Sequence, residues 1–301
     1  MRYFNYQSLL IGCICLFTIQ TFPINLLAKQ DSLLNYKIFD TKRKKEISLE
    51  KLNKNLKKID VIFFGEEHND SIGHRIELAL FRLLEQRYKN VALSLEMFQS
   101  DTQLVLDEYL SGLITPSNLA KDGRLWNNYK DYEPLIEFAR IKQTPVLAAN
   151  APSRYTNSVT RHGLESLTHL SESGKNLLAP LPIDTLIGPY YEKFVQIMGG
   201  HDKLSGAKIY QSQNLWDATM AYRISKLADS LRETKILHIN GRFHSDEKLG
   251  TFQQLRKYAP YLKAINISCF SHEDFEKPQW EDFQELGDYI ILTNPNIKRS
   301  F

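Results

Sequence analysis

The chain has 301 residues, 43% of them hydrophobic, enough to bury a full core as one large domain or two small ones. Its 38 basic and 35 acidic residues leave a net charge of +3, so no global field argues for a nucleic-acid partner. Of three cysteines, Cys13 and Cys15 lie near the N-terminus and Cys269 lies in an apolar run. That count excludes a disulfide framework and a cysteine metal motif, and Cys269 reads as a small buried hydrophobe.

Residues 1–28 read as a targeting segment. Arg2 gives a positive start, an apolar stretch runs from Ser8 to about Phe22, and Asn25-Leu26-Leu27-Ala28 offers a small-residue cleavage site before Lys29. Leu10-Ile11-Gly12-Cys13 has the form of a lipoprotein processing site, preceded by a short apolar stretch; an uncleaved anchor is a third reading. The expectation is export to the periplasm or outer membrane of a bacterium, with membrane attachment through the N-terminus.

Residues 29–301 read as a single α/β domain. Tyr36 to Asp40 is an N-terminal edge strand, and Ser48-Leu49-Glu50-Lys51-Leu52 opens a short surface helix beside a solvated basic cluster. Val61-Ile62-Phe63-Phe64 is a short continuous apolar run, the mark of a buried parallel strand. Arg75 to Leu84 has apolar residues at helical spacing. A strand follows from Val91 to Leu95, then helices over Gln103 to Leu110 and Pro134 to Ile141, and a strand from Pro145 to Ala149. This alternation implies a mostly parallel sheet with helices on both faces. From about 151 to 228 no strand is apparent, which predicts an inserted helical subdomain over the sheet's carboxyl edge. The sheet resumes at Ile236, continues through the run from Ala264 and ends with Tyr289-Ile290-Ile291-Leu292.

One pattern recurs at strand ends: Gly65-Glu66-Glu67-His68 after the first buried strand and Gly241-Arg242-Phe243-His244 after Ile236 to Asn240. Ligands of open α/β sheets sit beyond the carboxyl ends of the strands. A glycine there permits a sharp turn with positive φ, and the histidine three residues later points back across the rim. Glu66, His68, Glu96 and His244, with Asn150, therefore converge on one pocket. The set suits a divalent metal, for which imidazole and carboxylate are usual ligands. It equally suits metal-free acid–base hydrolysis, with a carboxylate orienting a histidine. Glutamates after strands also cap following helices, His74 is a neighbour or a surface residue, and His238 reads as a core histidine.

Seven blocks in order carry a resemblance. They are Gly65-Glu66-Glu67-His68; Ala92 to Phe98; Trp126-Asn127-Asn128-Tyr129 with Asp131 to Leu135; Ala149-Asn150-Ala151-Pro152; Met198-Gly199-Gly200-His201; Gln213 with Trp216 to Ala221; and Gly241 to His244. Together, over about residues 36 to 268, the chain resembles the ChaN family of bacterial haem-binding proteins, within a group that includes erythromycin esterases and Tiki-type metalloproteases. The resemblance implies an exported protein of iron or haem uptake, often a lipoprotein, with haem as its ligand. It places any hydrolytic chemistry at Glu66, His68, Glu96 and His244. Glu67 departs from the pattern, which leads one to expect an aromatic residue there.

Haem needs a flat apolar slot, an axial donor and groups for two propionates. The insertion supplies Tyr190, Tyr191, Tyr210 and His201, with Lys193, Lys203 and Lys208 nearby and Met198 and Phe194 for a ring face. Tyr190 or Tyr210 is the expected ligand, with His201 assisting, although tyrosines at helical spacing are commonly core. A haem slot under a lid is often completed by a second subunit, so a haem-linked homodimer is a further expectation. Trp126, Tyr129 and Tyr132 either pack their loop onto the sheet or wall the pocket near Glu96. Asp217 is a partner for a cation such as Arg242.

Overall fold

The computed structural model describes residues 35–198 and 204–301. The predicted targeting segment lies outside the described residues, as does His201. The strands are β1 (Tyr36–Asp40), β2 (Lys45–Ile47), β3 (Val61–Glu66), β4 (Val91–Gln99), β5 (Val146–Asn150), β6 (Lys235–Gly241), β7 (Ala264–Ser271) and β8 (Tyr289–Thr293). The α-helices are α1 (Leu49–Asn55), α2 (Ser71–Arg87), α3 (Gln103–Leu110), α4 (Pro116–Asp122), α5 (Tyr129–Lys142), α6 (Ser153–His162), α7 (Glu172–Lys175), α8 (Pro189–Ile197), α9 (Leu204–Ser230) and α10 (Gly250–Tyr258).

The strands form one eight-stranded sheet in the order β2-β1-β8-β7-β3-β6-β4-β5. The six from β3 to β8 run parallel, and β1 is antiparallel to both β8 and β2. The α/β class and the mostly parallel sheet are as the strand–helix alternation implied. One detail differs: β1 is not the edge, because the turn at Thr41 to Lys44 folds β2 onto its outer side.

β3 lies between β7 and β6, and alternation along it divides two cores. Ile62 and Phe64 face a large cluster with Ile76, Leu80 and Leu84 of α2 and Leu135 and Ile136 of α5. Val61 and Phe63 face the opposite layer, made by Met220 and Ile224 of α9 and Phe252 and Leu255 of α10. Every residue of β3 is buried, which is why it reads as a continuous apolar run. Between β5 and β6 there is no strand among the described residues. That stretch packs its own core of Val159, Leu167, Leu178, Leu215 and Ala218.

Helix ends follow local chemistry. The Ser48 side chain accepts from the Lys51 amide to start α1, and Asp70 accepts from the Ile72 amide to start α2. α5 begins five residues before Pro134, so Tyr129 and Tyr132 are helical rather than part of an entry loop. Pro134 is the sixth residue of the helix, past the first turn, so its missing amide costs the helix one intrahelical hydrogen bond.

Phe63 tests this packing. It is fully buried with the Phe252 ring 5.1 Å away. Phe63→Ala should cost about 3–5 kcal/mol, read as a lower urea midpoint at unchanged slope. A loss below about 1 kcal/mol would contradict a closed α9/α10 layer.

Candidate active site

The parallel register of β3 and β6 sets Gly65 beside Asn240 and Glu66 beside Gly241, so the two glycine motifs leave the sheet side by side. Neither glycine has positive φ, which corrects the expectation of a left-handed turn. Close approach is the constraint instead. A Cβ on Gly241 would fall 2.7 Å from His68 Nε2, and one on Gly65 would fall 2.8 Å from Ser245 Oγ and 3.0 Å from Arg242 Cα.

One half of the site is built on Glu66, whose carboxylate is 1% exposed. Its Oε1 accepts the Tyr132 hydroxyl at 2.6 Å and faces His68 Nδ1 at 2.8 Å. Its Oε2 lies 3.1 Å from His74 Nδ1. Burial pushes the Glu66 pKa up, but hydrogen bonds from the two histidines outweigh it and hold the group well below the usual carboxylate range. The His68 ring, 38% exposed, stands edge-on to Trp126 at 5.2 Å. Burial would lower its pKa; the bond to Glu66 and the charges of Glu96 and Glu66 raise it on balance. His74 is buried. Desolvation lowers its pKa, and contacts with Glu66 and Glu77 more than reverse this, up to about 11. Glu77, completely buried, is pushed up by desolvation and then by the Glu66 charge.

The other half is built on His244. Its Nδ1 lies 2.7 Å from Asp217 Oδ1, and its Nε2 lies 3.5 Å from Glu96 Oε1. Burial opposes the charged ring, but Glu96 and then Asp217 raise its pKa to about 10, which makes it an imidazolium at neutral pH. Glu96 is raised by burial and lowered further by His244, to about 2; its Oε2 accepts the Gly241 amide at 2.7 Å. Asp217 also accepts from Thr251 Oγ1 at 2.8 Å and from the Tyr190 hydroxyl at 2.5 Å. Gln213 Nε2 donates to the Tyr190 oxygen at 3.1 Å.

The structure thus brings Glu66, His68, Glu96 and His244 to one rim. Their ligand atoms do not close into a metal-sized group. Among the described residues, the one set of three or more that does so is Glu66, His74 and Glu77, within 4.8 Å of one another. Each rim histidine is tied to a carboxylate of its own, His68 to Glu66 and His244 to Asp217. Asn150 is buried beside the rim, with Oδ1 on the Ala151 amide. Asp217 serves His244 rather than Arg242, which pairs with Asp246 at 2.8 Å. Glu67 accepts from Arg299 and from the Ser271 amide, and its other oxygen lies 3.8 Å from Arg242 of the second glycine motif.

The two expected haem tyrosines are both buried and hydrogen-bonded. Tyr190 is 1% exposed and its hydroxyl proton is committed to Asp217. Tyr210 is 4% exposed and donates to the Leu186 carbonyl. Burial raises both pKa values, Tyr210 to about 12. Neither offers an open phenolate. Lys193 is paired with Glu247 at 3.3 Å, and Lys208 donates to the Arg161 carbonyl. Glu77 is the residue that pattern reading passed over, while Tyr132, expected to pack its loop or wall the pocket, donates to Glu66. Glu77 sits at helical core spacing, and only its partners mark it. His238, by contrast, is a core histidine facing Ser94 Oγ at 2.9 Å.

These features define a class: an α/β protein whose parallel sheet carries two carboxylate–histidine pairs at its carboxyl rim, roofed by a helical insertion. Residues 52–255 match the family model described as haem-binding uptake, Tiki superfamily, ChaN, and the chain belongs to that family. Its fold is similar to that of ChaN of Campylobacter jejuni, a structure titled for cofacial heme binding. That match has 20% identity and a TM-score of 0.66 over 87% of this chain and 98% of the other. More distant likenesses include a mutant of the erythromycin esterase EreC in its open conformation, at 12% identity and a TM-score of 0.46 over 82% and 78% of the two chains. Another is RRSP, a MARTX toxin effector domain from Vibrio vulnificus, at 20% identity and 0.40 over 74% and 36%. No curated protein matches the sequence.

The Asp217–His244 pair makes a signed prediction. The folded pKa of His244, about 10, lies above its ordinary 6.5, so the stability it adds is fully present below about pH 6.5 and is lost as pH rises through about 10. Asp217→Asn should therefore destabilise by about 3 kcal/mol near pH 6 and by progressively less towards pH 10, measured by urea denaturation across that range. A pH-independent loss would show that His244 is not held as a cation.

Proposed function

We propose that this protein binds haem in bacterial haem or iron uptake, as an exported protein whose N-terminal segment directs it to the periplasm or ties it to the outer membrane. The family match across residues 52–255 carries this reading. The outer surface of α8 is suited to it. Ile187, before the helix, and Ile197 and Met198, at its far end, stand 85%, 66% and 44% exposed. Tyr191 and Val195, partly buried, pack against the cluster of Leu186, Tyr190, Phe194 and Tyr210, with the Tyr191 and Tyr210 rings 5.0 Å apart. Haem would supply a flat apolar ring and an iron centre that takes an axial oxygen donor. Of Tyr190, Tyr191 and Tyr210, Tyr191 is the least buried and is the candidate donor, and Ile197 and Met198 would lie near the ring. A second copy offering the same face would close the other side of the slot, giving a haem-linked dimer.

Titration with hemin tests this. Wild type should show a Soret shift at micromolar hemin, and Tyr191→Phe should lose the tyrosinate charge-transfer band and bind about tenfold more weakly, a loss of about 1.4 kcal/mol. Tyr190→Phe and Tyr210→Phe should keep the band. No Soret shift in wild type would remove the reading, and an unchanged band in Tyr191→Phe would remove the ligand assignment.

One observation favours a second, hydrolytic reading. His68 Nδ1 is tied to Glu66 at 2.8 Å, which leaves Nε2 at the half-open rim for proton transfer, opposite the His244 imidazolium. An esterase and peptidase screen in which wild type and His68→Ala behave alike would dismiss it.

A further inference from the structure

The predicted rim set is not the place where this chain gathers metal-type donors. Behind the rim, β3 and the first turns of α2 bring Glu66, His74 and Glu77 together with all three ligand atoms within 4.8 Å. The group is closed to water: the three residues are 1%, 7% and 0% exposed. Its hydrogen bonding does not close, however. Glu66 Oε2 and Glu77 Oε1 are both buried with no hydrogen-bond donor, although His74 Nδ1 stands only 3.1 Å from the first carboxylate and 3.5 Å from the second.

The tautomer of His74 sharpens the point. Its Nε2 faces the main-chain oxygen of His68 at 3.2 Å. A carbonyl only accepts, so the ring proton belongs on Nε2. In the neutral ring, Nδ1 then carries a lone pair aimed at two carboxylates. A proton on His74 supplies the positive charge between the two carboxylates here, and a metal ion would supply it in the proton's place.

We propose that Glu66, His74 and Glu77 form a buried site for one divalent transition ion. Two carboxylates and one imidazole are the donor set of first-row metals such as Mn²⁺, Fe²⁺ or Zn²⁺, not of an all-oxygen Ca²⁺ or Mg²⁺ cage. A metal–ligand distance of about 2.1 Å places tetrahedral ligand atoms about 3.4 Å apart, and the observed 3.1 and 3.5 Å bracket that spacing. The supporting contacts are those expected around a metal-bound histidine and glutamate. His74 Nε2 is held by the His68 carbonyl, with Asp131 Oδ2 at 3.8 Å, and the second oxygen of Glu66 is held by Tyr132 at 2.6 Å. The ion shares only Glu66 with the rim. It would fix the carboxylate that orients His68, and the site stands independently of haem binding.

The full chain, stripped with a chelator and dialysed, should retain one Mn²⁺ or Zn²⁺ per chain by elemental analysis after equilibration with the metal alone. Its melting temperature should rise with the ion bound. Glu77→Gln, which keeps the shape of the side chain, should lose that ion, while Glu96→Gln at the rim should keep it. Bound Mn²⁺ should also broaden the NMR signals of His74 and Tyr132 in wild type, a readout that holds even if Glu77→Gln fails to fold. The proposal is overturned if wild type retains no ion. It is equally overturned if Glu96→Gln loses the ion while Glu77→Gln keeps it, or if the Mn²⁺ broadening misses His74.

Discussion

A single buried carboxylate, Glu66, constrains the rest of the structure. An isolated carboxylate in a protein interior costs several kcal/mol, so its position at the end of β3 is tenable only once its partners are docked. Those partners come from three separate elements. His68 arrives on the loop after β3, His74 from α2 and Tyr132 from α5. The large apolar cluster beneath, with Phe64, Ile76, Leu80 and Ile136, is what presses those helices onto the sheet. Packing and charge satisfaction are therefore one event on this side of the molecule.

The other side of the rim solves the same problem with different parts. Glu96 and Asp217 flank His244, and Asp217 in turn collects Thr251 and Tyr190. Asp217 lies on α9 and Tyr190 on α8, so the helical insertion is bonded directly to a catalytic-type histidine and is not a loose cover. This has a consequence for ligand binding. A tyrosine whose proton holds an aspartate in place is structural.

The difference between the two histidines is one of environment. Both follow a Gly-x-x-His pattern, yet His244 lies between two carboxylates while His68 meets one and remains partly open. The first is a fixed cation. The second has one nitrogen committed to Glu66 and one left at the rim, within reach of Gly241, where any side chain would intrude.

Much of this was legible in the chain. Continuous apolar runs such as Val61 to Phe64 mark strands buried on both faces, and glycines and polar groups at their carboxyl ends mark the rim. The sequence alone therefore determined the α/β class, the parallel sheet, the helical stretch between β5 and β6 and the convergence of Glu66, His68, Glu96 and His244. The tertiary structure decided the partners, because hydrogen bonds between residues 66 and 132, or 217 and 244, depend on how helices dock and leave no mark in local periodicity. Glu77 looks like an ordinary helix residue until packing removes the water around it, and the chain marks Tyr132 and Asp217 as candidates without showing that their partners are Glu66 and His244. Tyr190 and Tyr210 look like ligands for the same reason in reverse: composition shows a phenol, and only burial shows where its proton goes.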